Sequence, residues 1–93
     1  MKSAYELAME RLNKVAPTVT LTAAQKRQIA ELEAEYKAKI ADLEISLGGK
    51  SSTARAAGDE GSGAELERLL VVERKKLQDR LEELKDEVRR GKR

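Results

Sequence analysis

Glu31 and Glu35 are the residues whose type and spacing most invite chemistry, because four residues apart on a helix they share one face. Two carboxylates so placed can divide acid and base roles or hold a cation. The rest of the sequence argues against both uses. It contains no His and no Cys, the side chains that usually supply proton transfer and nucleophiles near neutral pH. A carboxylate-bridged dimetal site in a helical bundle also needs His at a Glu-x-x-His spacing, which this chain cannot provide. Neighbouring lysines fit a plainer reading, in which the acids form part of a solvated charged face. No catalytic residue, metal ligand, cofactor or small-molecule substrate is therefore expected.

Two groups of cations could contact phosphates. Arg74, Lys75 and Lys76 with Arg80 form the first, but Glu73, Asp79, Glu82 and Glu83 flank them and cancel most of the field within a Debye length of about 8 Å. Arg89, Arg90, Lys92 and Arg93 form the second, and cations there equally suit the negative end of a helix dipole. Neither group has an aromatic residue beside it for base stacking, and the net charge is only +2. Binding to nucleic acid is disfavoured, with the basic tail as the alternative functional reading.

Positioning these side chains falls to helices. Of 93 residues, 39% are charged and 2% aromatic, and the dominance of Ala, Glu, Lys, Leu and Arg is typical of long helices and coiled coils. Ser3 with Glu6 forms a capping box. After it Tyr5, Ala8, Met9, Leu12, Val15 and Ala16 recur at helical spacing, until Pro17 stops the helix. The amphipathic face, with Lys2, Arg11 and Lys14 nearby, could rest on a membrane, but Glu6 and Glu10 and the lack of Trp or Phe anchors favour docking on protein. Thr22 with Gln25 opens a second helix carrying Ile29, Leu32, Tyr36, Ile40, Leu43 and Leu47. Glu33–Lys37 and Glu35–Lys39 are expected as outer-face pairs. Ser62 with Glu65 is expected to cap a third helix, whose stripe is Leu66, Leu70, Leu77, Leu81, Leu84 and Val88. Leu69, Val71 and Val72 should widen that stripe, and Glu73 should interrupt it.

Residues 48–57 admit two readings. Gly48, Gly49, Ser51 and Ser52 suit a loop, whereas a helix continuing to Gly58 would end on a natural left-handed cap. Two glycines inside a helix cost about 2 kcal/mol relative to alanines. The continuous helix would set Leu81 opposite Ile40 and Leu84 opposite Tyr36, and would leave Leu70 facing Ser51. The opening MKSAYELAMERL, then APTVTLT at 16–22, YKAKI at 36–40 and ARAAGD at 54–59, resembles a group of short, uncharacterised bacterial helical proteins. In that group the segment before residue 54 is more strongly helical, so the resemblance favours the continuous helix; it implies no activity.

The resulting expectation is an all-α chain. Residues 1–16 form an amphipathic helix, 17–22 a connector and 23–93 an antiparallel coiled-coil-like hairpin. Its turn lies within 48–63, with 58–63 favoured, and the hairpin assembles into a helical bundle. Without a secretory or membrane-spanning segment, the expected location is the cytoplasm. Protein interaction or scaffolding is the expected role, through Tyr5, Met9, Leu12, Ile29, Leu32, Tyr36, Ile40, Leu43, Leu77, Leu81, Leu84 and Val88. The partner would be a second copy, as a dimer, or another helical protein.

Overall fold

A computed structural model describes residues 3–8 and 20–91. Two long helices, α1 (Ala23–Ala56) and α2 (Glu60–Arg89), pack against each other as an antiparallel hairpin. At 1.5 Å per residue they are about 51 and about 45 Å long. Residues 4–8 are also helical. There the Glu6 amide donates to Ser3 Oγ at 3.1 Å, as a capping serine should. Met9, Leu12, Val15, Ala16 and Pro17, and with them most of the expected N-terminal helix and connector, lie outside the described residues, as do Lys92 and Arg93.

The Thr22 box is complete. The Gln25 amide donates to Thr22 Oγ1 at 3.0 Å, and the Thr22 amide donates back to Gln25 Oε1 at 2.8 Å. From this start α1 runs unbroken through Gly48 and Gly49, so the continuous helix is the form observed. It ends in a Schellman arrangement. The Gly58 amide donates to the Arg55 carbonyl at 3.0 Å and the Asp59 amide to the Ala54 carbonyl at 2.8 Å. Gly58 takes φ +84° there, a region open to glycine at little cost.

Three expectations about the turn are corrected. The reversal occupies residues 57–59, within the expected 48–63 but shorter than the favoured 58–63 and beginning one residue earlier. Asp59 caps α2, accepting the Ser62 amide at 3.1 Å, so Ser62 lies inside the first turn and does not begin the helix. Asp59 can do this because Gly58 has already turned the chain, leaving a strong cap residue directly before Glu60. Ser51 does not face Leu70. Its Oγ donates to the Gly63 carbonyl at 3.0 Å and to Glu67 Oε1 at 3.3 Å, so α2 stands about one turn away from the expected register.

The core is thin. Leu32, Tyr36, Leu84 and Val88 are buried together, with Ile29, Leu77 and Leu81 packed against them. Tyr36 and Leu84 belong to this one cluster although the register differs from the expected one, and the polar end groups close the stem above them. Gln25 Nε2 donates 3.0 Å to the Val88 carbonyl, tying the first turn of α1 to the last turn of α2. Leu47 is buried nearer the turn.

Candidate functional site

At the turn end the helices approach closely. An added Cβ on Gly63 would stand 2.7 Å from Arg55 Cγ, so the bare glycine is what admits the arginine stem. Arg55 reaches across to Glu60 and to Glu67, the latter at 2.9 Å. Its hydrogen bond and charge contact with Glu67 hold the guanidinium more firmly protonated than usual. Ser51 is 2% exposed beneath this network. Its hydroxyl meets the requirement that a buried polar group find a partner.

Midway along the stem Arg74 Nε lies 3.5 Å from Glu44. The sequence places Glu73 in the seam, but Arg74 makes the cross-helix contact. Glu73 instead accepts from Lys76 on its own helix at 3.1 Å. Further down, Lys85 reaches Glu33 at 3.0 Å, with its side chain only 14% exposed. The hydrogen bond that the Lys85 ammonium donates to Glu33 holds its pKa above the usual range. Glu33 is therefore a cross-helix residue and not an outer-face partner of Lys37. The expected Glu35–Lys39 pair is present at 3.5 Å.

The hairpin absorbs most of the residues that could have met a partner. Leu32, Tyr36, Leu84 and Val88 are core, Ile29, Leu77 and Leu81 back them, and Ile40 and Leu43 are half-buried in the seam. Tyr36 is no surface anchor; the Lys39 ammonium lies 4.7 Å above its ring, a favourable cation–π placement. Tyr5 is exposed. Leu69, Val71 and Val72 do not widen the core stripe. They are 43%, 60% and 50% exposed, because α2 presents only its Leu70-to-Val88 edge to α1. Ile45, 75% exposed, escaped the periodicity reading although its position marks it. Two residues from both Leu43 and Leu47, it must point away from the seam.

Glu31 and Glu35 lie beside a shallow groove that they line with Gln28, Leu32 and Val88. Glu35 is already engaged by Lys39. No group of three metal-ligating side chains occurs among the described residues. Each cation of the first basic group is matched by an acid: Arg74 by Glu44, Lys75 by Asp79, Lys76 by Glu73 and Arg80 by Glu83. In the tail, Arg89 pairs with Asp86 at 2.8 Å, and the Arg90 amide donates to the Asp86 carbonyl at 2.9 Å as the helix ends. Arg89 is thus paired within its own helix, and Arg90 is the C-cap through its backbone amide. No helix among the described residues is long and apolar enough to cross a membrane.

Fold and surfaces together define an all-α helical hairpin whose central basic group is paired with acids of its own helices and whose large apolar side chains are in part left in water. No protein-family model matches the sequence, and no curated protein or solved structure matches it.

Proposed function

We propose that this chain is a non-enzymatic helical interaction or scaffolding module that works by burying its remaining apolar surface on another helix, from a second copy or from a different helical protein. The supporting observation is the division of its apolar residues. Among the described residues five large apolar side chains are buried, whereas Tyr5, Leu7, Ile45, Leu69, Val71 and Val72 are exposed. Among the described residues no third layer covers them, and domains this small gain little stability from their own core. Apolar side chains recurring on outward helix faces mark contact surfaces more readily than an isolated exposed leucine does.

Light scattering after size exclusion, across a wide concentration range, tests this reading. A dimer or larger species supports it. A chain that stays monomeric at every concentration and captures no helical partner from a lysate of its native host would sink it.

A further inference from the structure

We infer that the outward edge of α2 is a self-complementary docking surface, on which a second copy of this chain lies antiparallel about a two-fold axis passing between Leu70 and Val71. This rests on the self-association reading above and adds to it the surface, the orientation and the register.

Ser62, Glu65, Leu69, Val72, Lys76 and Asp79 follow one another at spacings of three, four, three, four and three residues, the seam spacing of a helix packed along another helix. They lie on one side of α2, away from the Leu70-to-Val88 edge that meets α1. Glu65, Leu69, Val72, Lys76 and Asp79 are exposed, so packing within the hairpin does not account for this second seam. A shallow groove on the same side is lined by Ser62, Glu65, Leu66 and Leu69. Residues at those relative positions form the four-sided hole that receives a side chain from a facing helix.

The order of charges along that seam identifies the occupant. Antiparallel about the axis, Leu69 falls opposite Val72, Glu65 opposite Lys76 and Ser62 opposite Asp79. The apolar pair is central, and an acid meets a base on either side of it, repeated by the two-fold symmetry. A parallel copy would instead set Glu65 against Glu65 and Lys76 against Lys76. Glu65 has no ion-pair partner among the described residues. Lys76 meets Glu73 of its own helix at 3.1 Å, but its side chain is 68% exposed and an ammonium has three donors to place. In this register the Lys76 stem crosses the groove of the other copy over Leu66 and Leu69 and sets its charge at Glu65, as long cationic side chains do on apolar surface. Arg68 and Lys75 approach as like charges at one flank, where Asp79 already pairs with Lys75 at 3.3 Å.

The test uses variants of the full chain at exposed positions, read by light scattering, with circular dichroism to check that helical content is kept. Leu69→Glu should raise the dimer dissociation constant more than tenfold, whereas Ile45→Glu, on the other helix, should leave it unchanged. Glu65→Lys alone and Lys76→Glu alone should each weaken self-association by a similar factor, because each dimer then holds two like-charge pairs. Mixed in equal amounts the two variants should recover it, since both contacts between unlike chains again join opposite charges. A dimer indifferent to Leu69→Glu or to the charge variants, or a mixture that fails to recover it, overturns the inference and leaves self-association standing on another face. A wild-type chain that is monomeric at every concentration also overturns it, and leaves the interaction reading to rest on a different helical protein.

Discussion

Replacing glycine by alanine should stabilise the hairpin at Gly49 and destabilise it at Gly63, although both residues lie inside helices. In a helix interior the change is worth about 1 kcal/mol in favour of alanine. At Gly49 nothing opposes the gain: the new Cβ meets no atom within 4 Å and the backbone φ is not positive. For a domain of this size about 1 kcal/mol corresponds to about 4–8 °C in Tm. At Gly63 the new Cβ would stand 2.7 Å from Arg55 Cγ and 3.0 Å from its Nε. The arginine stem must move, and with it the contacts to Glu60 and Glu67 and the cover over Ser51. Overpacking of this kind costs about 1–3 kcal/mol, which exceeds or cancels the propensity gain and leaves a net loss of about 0–2 kcal/mol. Thermal melts followed by far-ultraviolet circular dichroism provide the assay. One fixed protein concentration is needed, because association would raise an apparent Tm. If Gly63→Ala raises Tm as far as Gly49→Ala does, the close approach at the turn is wrong. If Gly49→Ala lowers Tm, α1 does not gain from a side chain there, and the unobstructed helix through the two glycines is refuted.

Other perturbations probe other parts of the stem. Leu84→Ala removes a buried side chain from a core of four and should cost about 2–5 kcal/mol, enough to abolish cooperative melting in so small a fold. Gln25→Ala removes both the reciprocal cap on Thr22 and the bond to the Val88 carbonyl; a loss of about 1–2 kcal/mol is expected. Faster amide exchange at both the start of α1 and the end of α2 would distinguish it from fraying of one helix alone. The hydrogen bonds from Ser62 hold the Asp59 carboxyl below its usual range. With a folded value below the unfolded one, its contribution is fully present above about pH 4 and is lost as pH falls through the folded value. Asp59→Ala should therefore lower Tm at pH 7 and have no effect in strong acid; an equal loss at both would show that the carboxylate is not the cap.

Helix type, order and much of the core were legible in the residues themselves. Caps and periodicity are local: Thr22 with Gln25 starts α1 because both groups lie within one turn, and Leu32, Tyr36, Leu84 and Val88 lie on apolar stripes visible at helical spacing. A left-handed glycine at residue 58 is likewise a local signal. What could not be read was how the two stripes meet. Register between antiparallel helices depends on contacts between residues distant in sequence. Here Gly63 admits the Arg55 stem, Ser51 bonds the Gly63 carbonyl, Arg74 meets Glu44 and Lys85 meets Glu33. Ser62 with Glu65 read as the start of α2, and only the geometry left by the Gly58 turn selected Asp59 instead. The same long-range choice decided which edge of α2 is covered. It turned Leu69, Val71 and Val72 into surface and left Ile45 facing outward, whereas the sequence alone determined that the chain would be helical, charge-balanced and without the side chains of an ordinary catalytic site.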